Sequence, residues 1–201
     1  MIAVLIVCTG NICRSAYAER LLQVRLDAIA PDAFKVSSAG THAVVGQPMD
    51  PFAMKLLLAQ GGTAEGFAAG QLHDDSLGDI SIVLTMTERQ REAIVALSPK
   101  MLKRTYLISE FAEVLNDILD DPAVDLPYGD TAEAREVRWL RIRELVLFKR
   151  HSTLQKHRKF PDILDPYQRG EIAFELMAAQ LEPMLQSIVR FESICLARDR
   201  S

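Results

Sequence analysis

Eight consecutive residues near the start of the chain combine the side chains that phosphoryl transfer requires. They are Cys8, Thr9, Gly10, Asn11, Ile12, Cys13, Arg14 and Ser15. A thiolate is a strong nucleophile, an arginine can bind phosphate through two parallel hydrogen bonds, and a loop that opens a helix directs backbone N–H groups at an anion. The spacing predicts a phosphate-binding loop, with Cys8 as the nucleophile and Arg14 as the anion-binding group.

A buried structural cysteine in a tight turn is the plainer explanation of these residues. Gly10 and Asn11 argue against it, because they supply the backbone freedom that a curled anion-binding loop needs. A plain turn also has no use for Arg14 six residues after the cysteine. The nucleophile loop is therefore the favoured interpretation.

The loop lies between a predicted strand and a predicted helix. The unbroken apolar run at residues 2–7 predicts a buried strand, and residues 15–29 have helical apolar spacing. Further strands are predicted at 34–38, 80–84 and 104–108, and further helices at 48–58, 87–97 and 171–195. This alternation predicts an α/β fold with a parallel sheet covered on both faces. Cys8 then follows the carboxyl end of the first strand, where such sheets bind ligands.

The composition fits one globular domain and excludes several classes of function. The chain has 201 residues and a net charge of −4, which argues against nucleic-acid binding. Three cysteines do not make a disulfide framework, so we expect a reducing, cytoplasmic location. The first apolar run is too short to cross a membrane and lacks the basic flank of a signal peptide. We therefore expect no membrane insertion.

The loop and four later segments together resemble one family, the low-molecular-weight protein tyrosine phosphatases. The later segments are Ser-Ser-Ala-Gly-Thr at 37–41, Gly-Gln-Pro-Met-Asp at 46–50, Ile-Val-Leu-Thr-Met at 82–86 and Asp-Pro-Tyr at 165–167. The resemblance implies a three-layer α/β/α, flavodoxin-like fold with a four-stranded parallel sheet in the order 2-1-3-4. Residues 1–201 would then be a single phosphatase domain, with a family-atypical insertion at about 112–160.

The resemblance also implies a mechanism and a set of site residues. Cys8 attacks phosphorus and forms a phosphocysteine, Arg14 binds the phosphate, and Asp165 acts as general acid and then as general base. Ser38 supports the loop. No metal ion or other cofactor is required. The implied substrate-binding residues are Thr9, Gly10, Asn11, Ile12, Cys13, Ser15 and Tyr167.

Asp165 has three competitors for the role of the acid. Asp-Pro also occurs at Asp50 and Asp121, and Asp162 lies nearby. Each Asp-Pro pair could simply be a turn or the start of a helix. Asp165 is favoured because Tyr167 follows it, where the family places an aromatic wall of the substrate pocket.

Two other functions fit the loop less well. Arsenate reductase shares this fold and loop, but its chemistry needs a relay of further cysteines, and outside the loop only Cys195 remains. A non-catalytic phosphotyrosine-binding module would need neither Cys8 nor Asp165, because anion binding requires no nucleophile and no acid. Turnover of an aryl phosphate separates these alternatives.

The predicted substrate is phosphotyrosine in proteins. Family members that act on phosphoarginine tend to carry threonine where this chain has Ile12, and an apolar side chain better suits an aromatic ring. The segment at 41–46 resembles the bacterial, exopolysaccharide-associated branch of the family, which makes a tyrosine kinase of exopolysaccharide assembly a candidate partner. His42 in this segment either meets the substrate or is merely solvated.

Two residues depart from the family pattern, and the role of a third is open. Phe67 stands where the family often has a histidine that backs the loop, and Gly70 stands where it often has an arginine. Cys13 either closes a reversible disulfide with oxidised Cys8 or is a small packed side chain.

The segment 112–160 is not explained by the resemblance. Asp130-Thr131-Ala132-Glu133 resembles a capped helix start, and a helix is predicted to run to about Arg150. Residues 135–159 carry nine Lys or Arg against two Glu. This helix is either a solvated insertion with a basic outer face or a flap that draws acidic phosphotyrosine segments to the site.

Overall fold

A four-stranded parallel sheet organises the chain, of which the computed structural model describes residues 1–157 and 159–197. The strands are β1 (Ile2–Cys8), β2 (Phe34–Gly40), β3 (Ile82–Thr85) and β4 (Thr105–Leu107). Their order in the sheet is β2-β1-β3-β4, and every neighbouring pair is parallel. The predicted α/β fold and sheet order are confirmed.

Six α-helices connect and cover the strands in the described residues. They are α1 (Arg14–Asp27), α2 (Pro51–Ala59), α3 (Glu88–Leu97), α4 (Ile108–Leu119), α5 (Ala132–His157) and α6 (Glu171–Ala197). No helix in the described part of the chain is long and apolar enough to span a membrane.

Helix α4 was not among the predicted elements, although Phe111, Leu115 and Ile118 repeat at helical spacing. Residues 104–108 were expected to form a strand, but β4 ends at Leu107 and α4 begins at Ile108. The run Tyr106-Leu107-Ile108 is apolar throughout, so it has the pattern of a buried strand. No described side chain caps the start of α4, so the sequence carries no start signal for this helix.

Both faces of the sheet are buried. Alternate residues of β1 point to opposite sides, so that Val4 and Ile6 pack in a large cluster with α1, α4, α5 and α6. Leu5 and Val7 pack in a smaller cluster with Ile94 of α3. The three-layer arrangement leaves the carboxyl ends of the strands as an open edge.

Helix α5 is part of the core. Trp139, Ile142 and Val146 are buried, and the Trp139 ring contacts the rings of Phe34, Phe111 and Phe191. Much of the segment 112–160 therefore completes the large cluster, because α4 and the inner face of α5 pack within it.

Candidate active site

The predicted loop joins β1 to α1. Cys8 is the last residue of β1, and Arg14 is the first residue of α1. Cys13 precedes the helix, and none of the side chains that the structure describes caps it. The first N–H groups of α1 therefore lack side-chain acceptors, and they carry the positive end of the helix dipole. An anion-binding helix end is thus attached to the loop that carries the Cys8 thiol.

The loop carbonyl groups point outward, because the segment 41–50 donates backbone hydrogen bonds to four of them. The pairs are Thr41 to Cys8 (2.9 Å), His42 to Thr9 (3.0 Å), Val44 to Gly10 (3.0 Å) and Asp50 to Ile12 (2.8 Å). In a trans peptide the N–H group points opposite to the carbonyl, so the N–H groups that follow these carbonyls point inward. A Cβ at Gly40 would lie only 2.5 Å from the Thr9 carbonyl oxygen, so the close approach of the two backbones requires glycine at this position. The result is a cradle of N–H groups.

Asn11 holds the loop in its curled shape. Its backbone has a φ of +55°, in the left-handed region. Its side-chain amide donates to the hydroxyl groups of Ser15 (2.9 Å) and Ser38 (2.7 Å), and its oxygen accepts from the Gly70 N–H (2.8 Å). Ser38 in turn donates to the Glu19 carboxyl group. Asn11 and Ser15 of the loop therefore share one network with Ser38, which is distant in the sequence.

Two groups reach the Cys8 sulfur. The Ser15 hydroxyl lies 2.9 Å from it, and the Asn11 N–H donates to it at 3.3 Å. The Cys8 side chain is buried. Both contacts stabilise negative charge on sulfur when the thiol is deprotonated, because a charged acceptor strengthens a hydrogen bond.

Cys13 differs from Cys8 although both lie in the same loop. Burial raises the pKa of Cys13 to about 12, and Asp50 and the Cys8 thiol add to this effect. Cys13 is thus a neutral thiol at pH 7.

Arg14 and Asp165 form an ion pair at the mouth of the loop. Arg14 is buried, and its terminal nitrogens contact the Asp165 carboxylate at 2.8 Å and the Ile163 carbonyl at 3.3 Å. The Arg14 Nε is also buried, and it has no hydrogen-bond partner among the described residues. About half of the Asp165 side chain is exposed to solvent. The guanidinium therefore retains an unused donor for an incoming oxyanion.

The three competing aspartates have other roles. Asp50 accepts from the Phe52 N–H at 2.9 Å and caps α2. Asp121 accepts from the Ala123 N–H at 2.9 Å, in the turn after α4. Asp162 accepts from the Glu88 N–H at the start of α3. Of the four aspartates, only Asp165 lines the pocket above the loop.

This pocket has a volume of about 180 Å³. Besides Asp165 and six loop residues from Cys8 to Arg14, its lining consists of His42, Val44 and Tyr167. Ile12, Val44 and Tyr167 give it apolar walls, whereas Cys8 and Arg14 supply the reactive and charged groups. Cys195 on α6 is buried elsewhere and does not line it. The arrangement lacks the relay of cysteines that arsenate reduction requires.

A family model described as low molecular weight phosphotyrosine protein phosphatase matches residues 3–147. The chain belongs to this family. It is similar to the low molecular weight protein-tyrosine-phosphatase Etp of Escherichia coli strain K12, with 34% identity over 111 residues, 55% of this chain and 72% of Etp. It is also similar to Wzb of the same strain, with 36% identity over 108 residues, 54% of this chain and 70% of Wzb.

Solved structures extend the similarity to the fold. The YwlE arginine phosphatase from Geobacillus stearothermophilus has 25% identity and a TM-score of 0.52, and the match covers 79% of this chain and 96% of that one. The predicted family and enzyme class, protein tyrosine phosphatase, are confirmed.

The phosphatase keeps its loop-supporting network despite two departures from the family pattern. Phe67, where the resemblance places a histidine, lies under the Arg20 guanidinium at 5.6 Å. Gly70, where the resemblance places an arginine, contributes its backbone N–H to Asn11. A backbone donor thus supports Asn11 at this position.

Sequence reasoning missed two supporting residues of this phosphatase. One is Glu19 on α1, whose carboxyl group accepts a hydrogen bond from the Ser38 hydroxyl. Gln90 accepts from the Thr87 N–H in a capping box and donates to the Thr9 hydroxyl at 3.1 Å. The spacing of Thr87 and Gln90 could have revealed the capping box, but nothing in the sequence indicates the contact with Thr9.

Helix α5 of the phosphatase is not a flap over the site. None of the described residues in 112–160 lines the pocket. Four of its basic residues instead pair with carboxylates outside the helix. The pairs are Arg138 with Glu192, Lys149 with Asp121, Arg150 with Glu110 and Lys156 with Asp117. The flap hypothesis is therefore wrong for the described residues. Arg158, another basic residue of this segment, lies outside them.

Proposed function

We propose that the chain hydrolyses phosphotyrosine in proteins through a phosphocysteine on Cys8. The observation that carries the proposal is the meeting of Cys8, Arg14 and Asp165 in one pocket. A nucleophile, a cation with a free buried donor and a half-exposed carboxyl group have no joint use in simple anion binding. They are the groups that phosphoryl transfer to a thiolate requires.

In the first step, the Cys8 thiolate attacks phosphorus opposite the tyrosine oxygen. The P–S bond forms as the P–O bond to the ring breaks, and Asp165 gives its proton to the departing phenolate. Arg14 and the inward N–H groups of the loop stabilise the charge on the three equatorial oxygens. The Cys8 sulfur is already held by Ser15 and Asn11, so little reorganisation is needed.

In the second step, the Asp165 carboxylate takes a proton from water. The water oxygen attacks phosphorus, the P–S bond breaks, and inorganic phosphate leaves with the Cys8 thiolate restored. The exposed fraction of Asp165 gives water access to it. Arg14 pairs with Asp165 at 2.8 Å, and the substrate phosphate competes for the same guanidinium. Substrate binding thereby releases Asp165 for proton transfer.

The expected contribution of Asp165 can be measured with the variant Asp165→Asn. Phenyl phosphate has a poor leaving group, and its kcat/KM, which reports the steps up to phosphocysteine formation, should fall by about 10²–10³-fold because the phenolate receives no proton. An aryl phosphate with a strongly acidic phenol should be affected far less. The matched control is Asp162→Asn, a nearby carboxyl group that caps α3. If Asp165→Asn slowed both substrates equally, Asp165 would not be the general acid. The same would follow if only Asp162→Asn slowed the substrate with the poor leaving group more than the other.

The apolar pocket walls favour an aromatic ring over a charged guanidino group. We expect kcat/KM for a phosphotyrosine peptide to exceed that for the matched phosphoarginine peptide by at least about tenfold. Ile12→Thr should narrow this ratio, because it adds a hydroxyl group to the wall. The rate of phosphate release from the two peptides measures this ratio. Faster turnover of the phosphoarginine peptide would contradict the assignment of phosphotyrosine as the substrate.

We further infer that the physiological substrates are cytoplasmic phosphotyrosine proteins. An autophosphorylated bacterial tyrosine kinase of exopolysaccharide assembly is the candidate partner. Two findings support this inference: the segment 41–46, which resembles the exopolysaccharide-associated branch, and the tyrosine phosphatase names of the bacterial relatives. The same phosphate-release assay can be run with the purified, autophosphorylated kinase. If no phosphate is released, the kinase is not a substrate of this protein.

A further inference from the structure

Glu19 is a mostly buried acidic residue beside the loop, and neither step of the proposed reaction uses it. It lies on α1, where only 14% of its side chain is exposed. One carboxyl oxygen forms an ion pair with the Arg20 Nε at 3.2 Å, and the other accepts from the Ser38 hydroxyl. Burial raises the pKa of the carboxyl group, whereas the Ser38 hydrogen bond and the Arg20 charge oppose this effect. These two contacts therefore stabilise the charged form of Glu19.

The loop network comprises the hydrogen bonds of Asn11, Ser15 and Ser38, and their direction follows from the donors present. The Gly70 N–H donates to the Asn11 side-chain oxygen, which fixes the orientation of the Asn11 amide. The amide nitrogen contacts the hydroxyl groups of Ser15 and Ser38. An amide nitrogen donates and does not accept, so both hydroxyl oxygens accept from Asn11.

Each of the two hydroxyl groups then has one hydrogen left to donate. Ser15 directs its hydrogen at the Cys8 sulfur, 2.9 Å away, and Ser38 directs its hydrogen at Glu19. A charged acceptor strengthens the bond from Ser38. It also makes the Ser38 oxygen a better acceptor for Asn11, because hydrogen bonds in a chain polarise one another. Glu19 and Cys8 thus lie at the two ends of one chain of hydrogen bonds.

Only a carboxylate satisfies both partners of Glu19. Arg20 and Ser38 are both donors, so the side chain between them must supply two acceptor atoms. Arg20 is held in place, because its guanidinium stacks over the Phe67 ring. A glutamine at position 19 would have one oxygen, and the Arg20 cation would attract it, leaving the amide nitrogen to face Ser38. The Ser38 hydrogen would then lose its acceptor.

We propose that Glu19 is a positioning residue for the nucleophile, and that its ionised carboxylate stabilises the Cys8 thiolate through the loop network. It keeps Ser38 as an acceptor for Asn11, and Asn11 in turn keeps the Ser15 hydroxyl directed at the sulfur. Glu19 does not line the pocket, so it acts only through these neighbours. This role rests on the proposed function, in which Cys8 is the nucleophile.

Two effects of Glu19 on the Cys8 thiolate have opposite signs. A nearby negative charge disfavours a thiolate, so removal of the Glu19 charge would by itself favour the thiolate. Loss of the hydrogen-bond chain disfavours the thiolate instead. The charged groups of the pocket, Arg14 and Asp165, pair with each other and are unchanged by a substitution at position 19. The direction of the change in Glu19→Gln therefore separates the hydrogen-bond chain from the bare charge.

Alkylation by iodoacetamide measures the thiolate, because the thiolate is the reactive form of a cysteine. Fragment masses of the labelled peptide assign the label to Cys8. In Glu19→Gln the midpoint of the Cys8 alkylation rate against pH should move up by about one pH unit, so that the rate well below the midpoint falls about tenfold. The matched control is Glu182→Gln, which removes a carboxylate that pairs with Arg25 of α1 outside the loop network. It should leave the midpoint in place. An unchanged or lower midpoint in Glu19→Gln would overturn the proposed role.

Two further variants keep the test independent of how well Glu19→Gln folds. Ser38→Ala interrupts the same chain of hydrogen bonds, so it should raise the midpoint by a similar amount. Glu19→Gln combined with Arg20→Met should restore the midpoint, because the single glutamine oxygen is then free to accept from Ser38. No shift in Ser38→Ala, or no recovery in the double variant, would also overturn the role of Glu19. Failure of the proposed function is a separate result, since alkylation requires no turnover and Cys8→Ser tests turnover.

Discussion

Replacing Cys8 with serine is expected to abolish turnover of aryl phosphates and phosphotyrosine peptides. We expect kcat to fall by about 10⁴-fold or more, because a serine hydroxyl at neutral pH is not ionised and no base in the loop removes its proton. The fold should persist, since Ser15 and the Asn11 N–H can bond to the smaller oxygen in place of sulfur. Phosphate affinity should remain measurable, because Arg14 and the loop N–H groups are unchanged.

Two measurements make the Cys8 experiment decisive. Steady-state kinetics report the loss of turnover, and binding of inorganic phosphate reports the intact cradle. The matched control is Cys195→Ser, which removes another buried thiol that does not line the pocket, and it should keep kcat within a few-fold. Activity of Cys8→Ser near that of the control would contradict the phosphocysteine mechanism.

The second large effect is expected from Arg14→Lys. An ammonium group is a point charge and cannot reproduce the planar two-point grip on an oxyanion. The variant also loses the buried Nε, which has no other partner among the described residues, and it loosens the contact with Asp165. We expect kcat/KM for an aryl phosphate to fall by about 10²–10³-fold, the cost of removing a preorganised donor from a transition-state site.

Arg25→Lys is the matched control for this variant. Arg25 lies on the same helix and pairs with the Glu182 carboxylate at 2.6 Å, outside the pocket. We expect the control to keep nearly full kcat/KM. If both variants behaved alike, the effect of Arg14→Lys would report on helix stability, and the anion-binding role would have to be given up.

The loop could be predicted because its chemistry is local. Cys8, Arg14 and Ser15 are close in sequence, and one strand-to-helix connection determines their arrangement. The same holds for Gly10 and Asn11, whose backbone freedom the curled loop requires. Alternation of strands and helices predicted the parallel sheet, because its apolar runs and crossovers are visible in the residue pattern.

Helix α4 was overlooked although Phe111, Leu115 and Ile118 have helical spacing, because its apolar start continues the run of β4. Propensity and pattern describe which face of a segment is apolar, but they do not say what covers it. Tyr106-Leu107-Ile108 is buried in either conformation, so its pattern cannot locate the end of β4. The basic residues of α5 looked solvated, whereas partners distant in sequence neutralise several of them, as Glu192 does for Arg138.

The nucleophile loop, the fold class and the family could be inferred from residues that are neighbours in the chain. Tertiary packing brings Asp165 to Arg14, brings Gly70 and Ser38 to Asn11, and keeps the described residues of α5 away from the pocket. These contacts join residues that are dozens of positions apart. Their geometry is set by how the helices pack on the sheet, and packing is a property of the whole chain that no local pattern contains.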